Sequence, residues 1–191
     1  MGQKGIGKDP AIGEKRMRSF TGLRLLFIAV LFAAGCGYST GSLLPSKFRT
    51  ISVEPFKNKV SYAQSRTSTY IPLLEVKARD AIANRFLFDG HLRIGDSQTA
   101  DLILRGELVG LERQELRLTD NQDVQEFRVN VIVDLTLWDP VEQKEVWHEP
   151  NFAGEATYFV SGPLAKSESA AVAEALDDLA RRAVERTLED W

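Results

Sequence analysis

Reagents for covalent, redox or metal chemistry are scarce in this chain: 191 residues include one cysteine, Cys36, and two histidines, His91 and His148. A lone thiol has no partner for an intrachain disulfide, and two histidines in separate segments lack the ligand spacing of a zinc site. A basic excess is also missing, with 24 Lys and Arg against 27 Asp and Glu and a net charge of -3. Nucleic-acid binding draws on a positive surface that releases counterions from phosphates, so this balance argues against such a partner. Long apolar runs are absent too. The longest, residues 25–34, has ten residues, well short of the roughly 20 that a membrane-crossing helix needs.

Ten apolar residues do fit the core of a signal peptide, which needs roughly 7–15. Arg16, Arg18 and Arg24 supply its positive flank, and the segment ends Leu31-Phe32-Ala33-Ala34-Gly35-Cys36. This tail resembles a lipobox, with small residues directly ahead of the cysteine and Ala33 where leucine is commonest. The reading is a signal peptide over residues 1–35, cleavage before Cys36, and acylation of Cys36 with palmitate, tethering the chain to a membrane. Met17 also serves as a start of ordinary signal length, which leaves residues 1–16 outside the translated protein. Cleavage removes six basic and two acidic residues, so the mature chain carries 18 basic and 25 acidic side chains, a net of -7. Its 156 residues suffice for one domain with a proper core.

Residues 36–46, with Gly37, Ser39, Gly41 and Pro45, read as a tether, and residues 47–191 as a single α+β domain. A strand is expected over FRTISVEPF, with Ile51 and Val53 on one face and Phe48, Thr50 and Ser52 on the other, ended by Pro55. Residues 57–70 are polar without a period, which predicts an exposed connection. Pro72 suits the first turn of a helix whose stripe is Leu74, Ala78, Ala81, Ile82 and Phe86, closed by Gly90. A short strand in HLRIGD follows, and a strand, helix, strand order predicts a parallel pair.

Stronger strand signals come next. TADLILRGELVGLERQEL places Leu102, Leu104 and Leu108 on one face and Arg105 and Glu107 on the other, turning at TDNQD. EFRVNVIVDLTLWDP sets Phe127, Val129, Val131, Val133, Leu135 and Leu137 against Glu126, Arg128, Asn130, Asp134 and Thr136, so one face is buried and the other wet. EVWHE reads as the next strand and EATYFV as an extension of that sheet. From Ser167, a capping residue, Val172, Leu176, Leu179, Ala183 and Val184 repeat with helical period. A mixed, mostly antiparallel sheet with one apolar face and two single-stripe helices predicts a two-layer α+β sandwich.

Catalytic motifs are not found. GQKGIGKD, beginning at Gly2, has the spacing of a phosphate loop but carries Asp9 where the magnesium hydroxyl belongs, and no strand precedes it. Asp120 and Asp123 lack the remaining ligands of a calcium loop and are ordinary turn formers. His91 and His148 read as strand residues, and no metal or cofactor is expected. What remains is Arg93, Arg105, Arg113, Arg117 and Arg128, read as lying on wet faces and strand edges. A guanidinium fork grips phosphate with two hydrogen bonds, which makes these five candidates for an anionic lipid headgroup. Glu107, Glu115 and Glu126 lie nearby in sequence, and such alternation more often makes cross-strand charge pairs.

Taken in order, CGY at Cys36, LLPSKFRTISVEPFKN, DGHLRIGDSQTADLILRGEL, EFRVNVIVDLTLWDP and a closing helix ending at Trp191 resemble the LPS-assembly lipoprotein family, LptE. The resemblance implies a non-enzymatic lipoprotein at the periplasmic face of the outer membrane. Its expected partners are LPS and the β-barrel LptD, which it helps to assemble and plug while assisting LPS delivery to the cell surface. Gly37, in place of Asp, is compatible with outer-membrane sorting. The family implies LPS contact through basic residues, without a motif that assigns them here. Two rivals stay open: a lipoprotein scaffolding another envelope complex, and a lipid-modifying hydrolase.

Overall fold

A computed structural model of the chain describes residues 1–2, 45–60 and 71–189. Cys36, the expected signal segment and Trp191 lie outside these residues. The chain divides into Met1–Gly41 and Ser42–Trp191, and every element described belongs to the second unit. These elements are β1 (Thr50–Val53), β2 (Lys57–Asn58), α1 (Leu74–Asp89), β3 (Arg93–Ile94), β4 (Leu102–Leu118), β5 (Val124–Asp139), β6 (Lys144–Phe159) and α2 (Glu168–Glu189).

The sheet runs β3-β1-β4-β5-β6, with β2 also pairing to β4. β4, β5 and β6 form a long antiparallel meander, whereas β1 lies parallel to both β3 and β4. The expected parallel pair across α1 is therefore present, and the fold is the α+β sandwich that the patterning predicts. α1 packs on β1, β3, β4 and α2, while α2 lies across β5 and β6.

β5 shows why the layers separate so cleanly. Val129, Val131, Val133, Leu135 and Leu137 are fully buried, and Phe127 is partly buried against the same core. Side chains of opposite parity stand on the other face, because successive residues of a strand point to opposite sides. Both helices close the apolar side. α2 contributes Val172, Leu176, Leu179, Ala183 and Val184, and the Ser167 hydroxyl accepts a hydrogen bond from the Ala170 N–H at 3.2 Å. At α1 the buried set is Leu74, Ala78, Ile82, Ala83 and Phe86, and the expected Ala81 is partly buried against the same core. Gly90 ends it in a left-handed conformation (φ 78°), its N–H donating to the Phe86 carbonyl at 3.0 Å. Pro72 precedes α1 and is not in its first turn; the intervening Leu73 is left-handed, φ 57°.

Three further features differ from the sequence reading. Lys57–Asn58 pairs with Glu107 and Leu108 as β2, so the polar connection begins with a strand. EVWHE and EATYFV belong to one strand, β6, because Pro150 and Asn151 form a bulge and do not end it. Asn151 takes φ 53° and donates its N–H to Asp134 Oδ1 at 2.8 Å, while Pro150 has no N–H for the ladder to lose. The third is a register shift between Leu108 and Gly110 in β4. With Val109 as the extra residue, the helix-facing set changes from Leu102, Leu104 and Leu108 to Leu111, Arg113 and Glu115, and a second shift between Glu115 and Arg117 changes it back.

Candidate functional site

With both helices on one side, the side chains of opposite parity form the other face of the sheet, which is half-exposed along β5. Its side chains come from alternate positions of β4, β5 and β6, which the flat ladder holds in fixed rows. Where β4 starts and β5 ends, a shallow hollow of about 300 Å³ is lined by Glu54, Arg105, Glu107, Asp134, Trp138 and His148, among others.

Most polar groups in that hollow have a partner. Arg105 lies 3.3 Å from Glu54 and sits over the Trp138 ring, 5.4 Å from its centroid. Glu107 takes Lys57 and Lys59, and the Lys59 hydrogen bond chiefly holds its carboxyl below the ordinary range against the opposing effect of burial. Asp134 accepts the Asn151 N–H, and Thr136 Oγ1 stands 2.9 Å from His148 Nδ1. Acidic and basic groups thus neutralise one another across neighbouring strands, which gives a polar surface fixed in shape with little net field. The position of His148 agrees with the strand reading. His91 does not, since it lies in the turn between α1 and β3, with Nδ1 2.7 Å from Asp89.

The five arginines are not one cluster. Arg93 is exposed on the edge strand β3, and its side chain makes no ion pair with a described residue. Arg105 belongs to the hollow. Arg117 and Arg128 share the open face farther along the meander, paired with Glu126 at 3.6 Å and Glu155 at 3.7 Å. Arg113 is not on the wet face. The Val109 bulge brings it opposite Val129 on the helix side, where it bonds Glu168 at 3.1 Å and stacks over Phe127 at 4.7 Å. Tyr158 lies in the same cluster, its hydroxyl pushed up from the ordinary value by burial and then by the Glu168 charge, with Arg113 opposing. Four of the five arginines are therefore tied to carboxylates, Arg117 and Arg128 across neighbouring strands, Arg113 to the helix residue Glu168 and Arg105 to Glu54 just past β1.

Trp138 and His148 are residues that sequence reasoning passed over as surface features. The available signal was an aromatic at an even-numbered, wet-face position of β5, where only polar residues were expected. At the hairpin end, Asp120 and Asp123 sit in the β4–β5 turn, closed by the Thr119 N–H to the Asp123 carbonyl at 2.8 Å. Among the described residues, no group of three or more His, Cys, Asp or Glu is placed to hold a metal ion, and no helix is long and apolar enough to cross a membrane.

The domain is thus a two-layer α+β sandwich whose sheet, on the side away from the helices, carries charges paired across neighbouring strands. A family model described as LptE, lipopolysaccharide-assembly, matches residues 48–190, which span every element of the fold, and the chain belongs to that family. No curated protein matches the chain. Among solved structures it is similar to the hypothetical protein CT253 of Chlamydia trachomatis, with 12% identity, 73% of this chain and 95% of that one covered, and a TM-score of 0.49. It is also similar to rare lipoprotein B of Shewanella oneidensis (18% identity, 69% and 91% covered, TM-score 0.42) and to a minor lipoprotein of Acinetobacter baumannii (12%, 73% and 92%, 0.46).

Proposed function

We propose that this chain is the lipoprotein subunit of an outer-membrane LPS translocon, anchored at the periplasmic face through lipid on Cys36. Its domain sits within the lumen of the barrel LptD, supports barrel assembly and assists passage of LPS to the surface. The observation that carries this reading is the family match over residues 48–190. The geometry is in keeping with it. Very large barrels have polar interiors, and a domain whose outer sheet face is a lattice of paired charges can enter one without burying an unpartnered ion. The work is done by surfaces, with no catalytic group involved.

For LPS, Arg117 and Arg128 are the candidates that share a face, while Arg93 is the candidate with no ion partner among the described residues. Arg105 and Arg113 are more firmly engaged with Glu54 and Glu168 and their stacked rings. A phosphate reaching these arginines has to share them with a carboxylate, which favours weak, exchangeable contact over tight capture. Affinity purification of the full-length protein from detergent-solubilised membranes tests the assignment. Co-recovery of a large β-barrel is expected; recovery without one, or with a different envelope complex, overturns it.

A further inference from the structure

The tether leaves the domain at a definite place. Thr50 of β1 pairs with Arg93 of β3, and the Arg93 N–H donates to the Arg49 carbonyl at 2.9 Å, so the chain enters the sheet beside the turn that follows α1. The β5–β6 turn lies at the same end. Lys47 reaches Asp139 at 3.4 Å and also pairs with Glu142, which ties the incoming segment to that turn. Three things therefore share one end of the domain: the incoming tether, the C-terminus of α1, and residues 140–143.

That end also carries the two most exposed large apolar side chains among the described residues of the domain, Val141 at 84% and Phe88 at 83%, with Leu87 beside Phe88 at 64%. None of the three serves the core, which α1 already supplies through Ile82 and Phe86. The Arg85 guanidinium lies over the Phe88 ring, 5.5 Å from its centroid. A ring with an arginine above it suits a bilayer interface, where the ring descends and the cation remains at headgroup level. Lys47 and Lys144 are paired with Glu142, whereas Arg93, on the edge strand beside the incoming chain, has no ion partner among the described residues. The apolar side chains supply the insertion, and Arg85 and Arg93 add a cationic rim at headgroup level.

We propose that Leu87, Phe88 and Val141 form a wedge that seats in the phospholipid leaflet holding the lipid anchor, a second and non-covalent membrane contact. This rests on the reading of Cys36 as lipidated. Pro45 lies nine positions after Cys36, a reach of at most about 30 Å, so the tether keeps this end of the domain near the bilayer. Two or three exposed side chains bind lipid weakly alone, and the anchor makes that contact count by raising the local concentration. The wedge occupies only the tether end and leaves the open sheet face available to a protein partner.

The test uses the full-length protein lipidated at Cys36, reconstituted into phosphatidylcholine vesicles. Acylation blocks the only native thiol, so Phe88→Cys accepts an environment-sensitive fluorophore, and Leu164→Cys, exposed beyond the far end of β6, serves as the comparison. Expected are co-flotation with the vesicles and several-fold stronger quenching by nitroxide-labelled acyl chains at position 88 than at 164, already in phosphatidylcholine alone. Protein that floats with both positions equally unquenched overturns the wedge and leaves the anchor standing. Protein that fails to float overturns the anchor and the wedge with it. A spectral change at position 88 that follows protein concentration without vesicles assigns the patch to a second copy and also overturns the proposal.

Discussion

Gly154 is where the two layers come closest, and its replacement by alanine tests the packing directly. A Cβ built at Gly154 lies 2.2 Å from the Ala175 carbonyl oxygen and 2.5 Å from both the backbone nitrogen and the Cβ of Leu179. Ordinary contact begins near 3.4 Å, so α2 has to retreat by about an ångström. These are mainly backbone atoms of a helix whose neighbours Ala171, Ala175 and Leu179 are fully buried, and no rotamer change relieves the clash. Overpacking of this kind costs about 1–3 kcal/mol. Against a total of about 5–15 kcal/mol that is a large share, equivalent to roughly 2–10 °C in melting temperature for a domain of this size. Gly106→Ala is the informative comparison. There the clash, at 2.4 Å, is with the outer atoms of the Phe56 ring, which belongs to the segment between β1 and β2 and can swing aside without moving a helix. Urea unfolding followed by circular dichroism should show the larger loss for Gly154→Ala. A change below about 0.5 kcal/mol there, or a larger loss at Gly106→Ala, refutes the claim that helix-to-sheet distance is set at Gly154.

Two further outcomes are expected. The Asp101 carboxylate accepts the N–H groups of Arg49 and Thr50 and the Thr50 hydroxyl, each at 2.9 Å, and the Arg49 bond is the main reason its pKa lies below the ordinary 3.8. A depressed folded-state value means a stabilisation fully present above about pH 4 and lost as pH falls through it, so Asp101→Asn should unfold more easily at pH 7 and show a flatter acid limb. Metabolic labelling with a palmitate analogue should mark the wild-type protein and not Cys36→Ala; equal labelling refutes the lipid assignment.

Much of this fold was legible because strand alternation and helical stripes both record which side faces the core. β5 announced itself through five fully buried residues at odd positions, and α2 through its stripe and Ser167. β2 was not legible: both its residues are exposed, so it is held by backbone pairing to β4 that leaves no side-chain pattern. Continuity of β6 through Pro150 depends on the Asp134 carboxylate of the adjacent strand, a long-range partner that local sequence does not reveal. The bulge at Val109 mattered most for the site. A single extra residue reverses the side chains of β4 from Gly110 to Glu115, until the next shift before Arg117, and this moved Arg113 from the expected wet face to the Glu168–Phe127–Tyr158 cluster. The five arginines therefore do not share a single surface, and the hollow at Trp138 showed in the sequence only as an aromatic at a wet-face position of β5.

The same bulges bear on how the domain meets a partner. From Gly110 to Leu118 no described residue pairs with the outer edge of β4, and an unpaired edge of that length is open to edge-to-edge addition of another strand. Here the ladder shifts again between Glu115 and Leu118, and the edge carries Glu112, Arg113, Glu115 and Arg117. Twist and charge together disfavour a continuous added strand, so the hairpin can extend beyond β2 without recruiting further copies. Association through side chains of the open face remains. A barrel lumen, curved and lined by polar side chains, can engage such a face and leave its backbone ladder undisturbed. Substitutions that reverse charge on that face, such as Arg128→Glu, should then weaken recovery of the barrel while leaving unfolding within about 0.5 kcal/mol of wild type, since Arg128 and Glu155 form an exposed pair. Undiminished recovery with several such reversals combined sinks the face as the contact surface and returns attention to the guarded edge.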